Sequence, residues 1–337
     1  MTRISRIELK ELASGAMVRQ GASEELARVL VDAADFAEAR GKTPVGYAHL
    51  KDYVDAIRDG RCNPKPAPTV TRTAPGVWVI DADQGPQHLG FDRAFQGFVD
   101  GVRSQGMAMM SQHNALAGGQ LAWYTERLAS EGLVAFACVN SNALMAPGQN
   151  QPKVLGTNPL AYSIPHSKGV VTVDQAASNT AFVRLRQAAD RGESIPEGWA
   201  VDAQGRPTTD AAAARDGALL PSGGYKGANI AFMVEFLATL SGARFAVDAP
   251  PFDSGPENTG IGFFLFAIDP AAVAGGAEAD PESARAAFTS RISAYLQRMT
   301  GMGVRAPGSS RPAEGSRQPD SFDVDPQVLD ELRALAD

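Results

Sequence analysis

With only two cysteines in 337 residues, Cys62 and Cys138, the chain has no material for a disulfide-stapled fold. Cys138 falls in the apolar run Leu133 to Val139, which predicts a buried thiol and suits a reducing compartment. No stretch approaches the roughly 18 consecutive apolar residues of a membrane span, and the opening Met-Thr-Arg-Ile-Ser carries no apolar h-region. The expectation is a cytoplasmic protein, neither secreted nor membrane-embedded. Lys and Arg are scattered and the formal charge is -7, so there is no basic patch to hold nucleic acid. Missing too are Gly-x-Gly-x-x-Gly, a phosphate loop ending in Gly-Lys-Ser/Thr, His-Glu-x-x-His and a nucleophile elbow. The four histidines, His49, His88, His113 and His166, are too dispersed to suggest metal ligation, and no metal is expected.

At 44% hydrophobic and 20% charged residues, the chain can bury one large core or two smaller ones. Ser5 and Glu8 are spaced as a capping box, with Ile4 and Leu9 as a hydrophobic staple, so a helix should start at Arg6. Ser23 caps a second helix whose Leu26, Val29, Leu30 and Ala33 recur at helical spacing, and Leu50, Tyr53, Val54 and Ile57 make a third stripe ended by Gly60. The proline-rich segment from Asn63 to Pro75 reads as a connector. Strand-like runs follow at Val77 to Asp81, Leu133 to Asn140, Val170 to Asp174 and Gly262 to Asp269, and such apolar strands predict a sheet covered on both faces. Helices are expected at about Leu121 to Ser130, Ala181 to Asp190 and Gly227 to Ser241, the last apolar nearly all round and hence buried. Asp280-Pro281 and Asp325-Pro326 open two more, while Pro307 to Asp320 reads as loop.

One segment draws attention. In Leu220-Pro-Ser-Gly-Gly-Tyr-Lys-Gly-Ala-Asn229 three glycines surround Lys226 just before a helix, where free backbone N–H groups suit a phosphate; the same residues also read as a tight turn with a solvated lysine. Thr157-Asn158-Pro159 is a turn when read alone.

Taken in order, Arg58-Asp-Gly-Arg-Cys-Asn-Pro64, Met145-Ala-Pro147, Leu155-Gly-Thr-Asn-Pro159, Ile195-Pro-Glu-Gly-Trp-Ala200, Gly205-Arg-Pro-Thr-Thr-Asp210, Gly223-Gly-Tyr-Lys-Gly227 and Ala267-Ile-Asp-Pro270 resemble the type 2 malate/L-lactate dehydrogenase family. That family also includes sulfolactate and ureidoglycolate dehydrogenases, a diketogulonate reductase and the piperideine-2-carboxylate and pyrroline-2-carboxylate reductases. The resemblance runs from about Leu26 to Arg305. It implies an α/β fold that is not a Rossmann fold, with a mixed sheet and a helical part from both termini. Residues 1–66 would pack with helices of 280–337, and 67–279 would bind cofactor and substrate. It further implies NADPH or NADH as cofactor, a small-molecule substrate and a homodimer with its sites near the subunit interface. The cofactor would be held by Asp174, Ala177, Ser178, Thr180, Tyr225, Lys226 and the Pro307-Gly308 turn. Relatives read Asp-Met-Ala-Thr-Ser and then Ala-Arg-Gly, where this chain has Asp174-Gln-Ala-Ala-Ser178 and Ala181-Phe182-Val183.

The catalytic stretch departs further. Against the family's Arg-Gly-x-Asp-Ser-His-Gly-x-x-Arg-Leu this chain has Arg40-Gly-Lys-Thr-Pro-Val-Gly-Tyr-Ala-His-Leu50, so Pro44 stands for the serine, Val45 for the proton-donating histidine and His49 for the carboxylate-binding arginine. A second family histidine aligns with Ala117, and a shifted alignment brings His113 nearer. Valine cannot protonate the alkoxide left by hydride transfer to a ketone, a step worth about 10²–10⁴-fold. An iminium carbon needs no such donor, because hydride arrival leaves a neutral amine. His49 and Tyr53, spaced i, i+4, are the candidate replacement pair, with His113 as the other candidate. The sequence therefore points to an NAD(P)H-dependent reductase of an imine or atypical carbonyl. A nucleotide-binding pseudoenzyme, a non-redox enzyme in the same pocket and a 2-hydroxy acid dehydrogenase are the alternatives.

Overall fold

The computed structural model describes residues 1–274, 280–308 and 319–337. Strand β1 (Thr2–Ser5) leads into α1 (Arg6–Arg19), where Ser5 Oγ accepts the N–H of Glu8 at 3.1 Å and Ile4 and Leu9 are both buried. Ser23 caps α2 (Glu24–Glu38) in the same way through the N–H of Leu26. Two single 3-10 turns, Thr43–Val45 and Tyr47–His49, then deliver the chain into α3 (Leu50–Arg58), which buries Leu50, Tyr53 and Val54.

The expected connector is in part a strand. Thr69–Ala74 forms β2, an antiparallel edge strand on β3 (Val77–Asp81) whose six residues are all exposed. An edge strand that buries neither face carries no alternation to read, although Thr69, Val70, Thr71 and Thr73 supply β-branched residues. Sequence patterning also does not reveal α4 (Gln87–Gln105) or β4 (Met107–Ala115). Helix α4 contains three glycines, each of which disfavours a helix interior by about 1 kcal/mol. Two of them sit where the helix presses on the sheet: a Cβ on Gly101 would lie 2.0 Å from the Trp78 ring, and one on Gly90 2.8 Å from both Gln112 and Ile80. Strand β4 hides because both its faces are covered and its buried residues include Ser111 and Gln112, one on each face.

Next come α5 (Ala122–Ser130), β5 (Val134–Val139), β6 (Leu160–His166), β7 (Gly169–Gln175) and α6 (Phe182–Asp190). A small sheet of β8 (Ala200–Val201), β9 (Pro207–Thr208) and β10 (Ala218–Leu219) encloses α7 (Ala211–Asp216) and precedes α8 (Tyr225–Ala238). The chain ends with β11 (Ile261–Ile268), α9 (Pro270–Val273), α10 (Pro281–Gly301), β12 (Ser321–Val324) and α11 (Pro326–Ala336). Asp280 and Asp325 cap α10 and α11 through the N–H groups of Ser283 and Gln327. Of the loop expected over Pro307 to Asp320, residues 309–318 lie outside the described residues.

The central sheet among the described residues runs β2-β3-β4-β11-β5-β6-β7 and is mixed: β3 and β4 are parallel, every other pair antiparallel. Hydrogen-bonded pairing of β1 with β12, and of Gln20 Nε2 with the Leu335 carbonyl, ties the two ends of the chain together. Both cysteines are buried and free, and burial pushes both thiols up to about 12. No helix among the described residues is long and apolar enough to cross a membrane.

Helix α8 corrects the expectation of full burial. Gly227, Ala228, Ala231, Val234, Glu235 and Ala238 face the protein, but Ile230, Met233 and Phe236 face outward, Phe236 at 61% exposure. The expected double cover of the sheet is partial for the same reason. Val234 and Leu237 pack on Cys138, Phe264 and Phe266, while Met107 at the start of β4 stays open.

Candidate active site

A cavity of about 520 Å³ opens on the side of the sheet where β4 and β5 end. Its wall combines Pro44, Val45, His49 and Asp52 with Leu116 to Gly119, Asn140 to Leu144, Phe182, Val183 and Arg186 of α6, and Phe252 and Asp253. A volume of this size suits a small ligand held mostly by apolar surface with a few polar groups. A second, open depression along α10, lined by Phe288, Ile292, Tyr295 and neighbours, contains none of the predicted site residues.

The reactive polar group on this wall is a histidine–carboxylate pair. His49 ends the second 3-10 turn, Asp52 follows one turn later on α3, and Nδ1 of His49 lies 2.7 Å from Asp52 Oδ2. Burial disfavours the charge on Asp52, but the hydrogen bond and charge of His49 outweigh it and leave the carboxyl below its ordinary range. An ionised Asp52 accepting Nδ1–H fixes the imidazole tautomer and leaves Nε2 as the nitrogen free for proton exchange. Sequence spacing pairs His49 with Tyr53, and the structure does bring the rings to 4.8 Å, edge to face. Tyr53 is buried behind the cavity wall, however. Its hydroxyl looks onto a cleft of about 10 Å³ shared with His49, His88 and Gln120. Burial raises the Tyr53 phenol far above its ordinary value. Burial, then the charges of His49 and Arg127, push His88 down to about 3, so His88 is neutral at physiological pH and unable to serve as an acid.

His113 lies elsewhere. It sits on β4 with Nε2 3.8 Å from Asp81, and is not among the residues lining the cavity. Two other polar residues of the catalytic stretch are engaged elsewhere: Tyr47 donates its hydroxyl to Asp35, and Arg40 pairs with Glu126.

Beneath the cavity floor is a residue that sequence reasoning misses. Glu235, buried at 4%, accepts from Asn140 Nδ2 at 3.0 Å, Asn158 Nδ2 at 2.8 Å and the Ala246 N–H at 2.7 Å. Asn140 and Thr157 line the cavity, so this carboxylate sets the shape of the floor. The turn Leu155-Gly-Thr-Asn-Pro159 is built for it: Asn158 adopts a φ of +41°, and a Cβ on Gly156 would come within 2.3 Å of Ser141 Oγ. A lone glutamate in an otherwise apolar helix was the available signal, since such a charge is buried only with partners.

The residues expected to hold a cofactor form two neighbouring groups. Ser222 N–H donates to the Ala177 carbonyl at 2.8 Å and Asn179 N–H to the Leu220 carbonyl at 2.9 Å, which sets Ala177, Ser178 and Thr180 beside the turn carrying Tyr225 and Lys226. The Ala177 N–H in turn donates to the Thr157 carbonyl at 2.9 Å, joining this segment to the cavity floor. Tyr225 and Lys226 are exposed, Ser178 Oγ donates to the Thr180 carbonyl, and Thr180 Oγ1 is buried with no partner among the described residues. Asp174 and Gly308 belong to the second group, on β7. Asp174 accepts the Ala122 N–H at 2.9 Å, and Gly308 lies against the backbone of Thr172.

The sequence profile of malate/L-lactate dehydrogenases matches residues 4–333. The chain belongs to that family. Among its relatives, the (2R)-3-sulfolactate dehydrogenase (NADP(+)) of Chromohalobacter salexigens is 34% identical, covering 99% of this chain and 98% of that protein. The Δ1-pyrroline-2-carboxylate reductase of Pseudomonas fluorescens is 32% identical, with 98% of each chain covered. The crystal structure of the Δ1-piperideine-2-carboxylate reductase of Pseudomonas syringae superposes with a TM-score of 0.89 at 27% identity, over 99% of this chain and 100% of the other. Family membership thus extends beyond the resemblance at Leu26 to Arg305, taking in the paired ends that close the helical part.

Proposed function

We propose that the protein is an NAD(P)H-dependent oxidoreductase that reduces a small imine or atypical carbonyl substrate. The observation that carries this reading is the wall of the 520 Å³ cavity, where Val45 occupies the position aligned with the family's proton donor while the His49–Asp52 pair stands one turn away. The imine-reducing relatives at 32% identity and at a TM-score of 0.89 support it. So does the fit of the cofactor residues. Among the described residues the α8 N-terminus has no side-chain cap and the buried Thr180 hydroxyl lacks a partner, while Gly224 has a φ of +66° and Lys226 is exposed beside it. Tyr225, Lys226, Ser178 and Thr180 would hold the nucleotide, which supplies the hydride. His49 exchanges the proton, and Val45, Phe182 and Val183 exclude water from the reacting carbon.

Assayed with NADPH and NADH against cyclic and acyclic imines and 2-oxo acids, the protein should turn over C=N in preference to C=O. The His49–Asp52 pair favours a second reading, a 2-hydroxy acid dehydrogenase in which His49 is the proton donor; robust malate or lactate oxidation would establish it. Silence across the panel with tight nucleotide binding would leave a non-redox nucleotide binder.

In the same reading the protein works in the cytoplasm as a homodimer. Its free buried thiols suit a reducing compartment, and a second copy would cover Ile230, Met233 and Phe236 on α8. Light scattering should give twice the chain mass, and the double variant Met233→Asp/Phe236→Asp should give the single-chain mass. A monomeric wild type would end this proposal.

A further inference from the structure

We propose that Arg186 binds the anionic group of the substrate, taking over the role that the lost arginine at position 49 has in the family. This rests on the reductase reading above and names the substrate class, a C=N compound bearing a carboxylate or similar oxyanion. Among the described cavity-lining residues, Lys153 and Arg186 are the permanent cations. Lys153 is exposed at the mouth. Arg186 stands one helical turn after Phe182 on α6, so both side chains meet the cavity from the same face.

The guanidinium has unused capacity. It makes no hydrogen bond among the described residues, and its single ion pair, to Asp253, is at 4.0 Å, too long for a hydrogen bond. Its side chain is 32% exposed, so it is largely shielded from bulk water while lining the cavity. A planar fork of five N–H donors in that position matches a carboxylate through two parallel bonds. His49 cannot match this, because Nδ1 is already engaged by Asp52 and one nitrogen remains. The guanidinium lines the same cavity as His49 and Asp52, and its charge helps to hold the Asp52 carboxyl low. A substrate gripped there carries its anionic group close to the carbon that is reduced, and Asp253 competes for the same fork.

The test uses benzoate and its neutral isostere benzamide as probes, titrated by calorimetry into the full-length protein saturated with NADP(+). Benzoate should bind the wild type better than benzamide. Arg186→Ala should weaken benzoate by at least about tenfold, as for a lost hydrogen bond to a charged group, and leave benzamide unchanged. Arg186→Lys should recover part of the loss. Asp253→Asn, which frees the fork, should tighten benzoate, giving a gain that misfolding cannot imitate. Unchanged benzoate affinity in Arg186→Ala, equal losses for both probes, or no benzoate binding to the wild type would overturn the assignment. Because these are binding measurements, an inactive protein that still binds benzoate through Arg186 would refute the reductase reading alone. An active reductase indifferent to Arg186→Ala would refute the anion site alone.

Discussion

Replacing His49 with asparagine should lower reduction of a neutral carbonyl or N–H imine by about 10²–10⁴-fold, the range for loss of a positioned proton donor. Asparagine keeps a donor toward Asp52 but has nothing to ionise, so the 2.7 Å contact survives while proton exchange does not. The same variant should reduce an N-methylated iminium at close to the wild-type rate. There the nitrogen is permanently charged and hydride arrival completes the reaction without a proton. Steady-state kcat on the two substrates with the same cofactor reads the difference directly. Equal losses would make His49 a positioning residue that packs Tyr53 and Phe252, with ring distances of 4.8 and 6.0 Å, and no loss on either would place the proton source elsewhere. His88, which burial holds neutral, is not an available substitute.

Glu235→Ala should cost roughly 3–5 kcal/mol of stability, because it takes from Asn140, Asn158 and the Ala246 N–H the buried acceptor that they share. For a chain of this size that corresponds to a fall in Tm of roughly 6–15 °C. Glu235→Gln retains an acceptor and the side-chain volume, so it should lose about half as much or less. Calorimetric or circular-dichroism melts distinguish these outcomes. Since Asn140 and Thr157 line the cavity, surviving activity in Glu235→Gln should show a raised KM before a lowered kcat. An Ala variant as stable as the wild type would mean that water satisfies the three donors and that the carboxylate does not organise the floor.

Much of the fold was legible because its signals are local. Ser5 with Glu8, Ser23, Asp280 and Asp325 each cap the helix that their spacing predicts, since a cap depends on three or four consecutive residues. The hidden elements were those whose composition answers to a distant neighbour. Gly90 and Gly101 belong in α4 because Ile80, Gln112 and Trp78 lie against them, and Ser111 of β4 is buried because its hydroxyl meets Ser241 at 2.9 Å. Within the candidate site, spacing and the gap in the family pattern single out His49, and the structure places it on the cavity wall. The structure sets the Tyr53 ring edge to face with His49 but behind the cavity wall, and holds His113 on β4 opposite Asp81 of β3, outside the cavity lining.

The sequence by itself determined the family, the α/β class, the capped helices at both ends and the absence of a proton donor at position 45, because each follows from residue identity within short windows. Only the tertiary structure decided which polar groups stand on the cavity wall beside that position. Asp52 becomes a partner of His49 through one turn of helix, but Arg186 and Phe252 reach the same cavity, and Glu235 lies under its floor, from segments over a hundred residues away, and no periodicity encodes which remote segments will meet. It also decided that α8 is half open. A helix apolar all round is consistent with a core or with an interface, and the distinction lies in how much of its surface the rest of the same chain can cover.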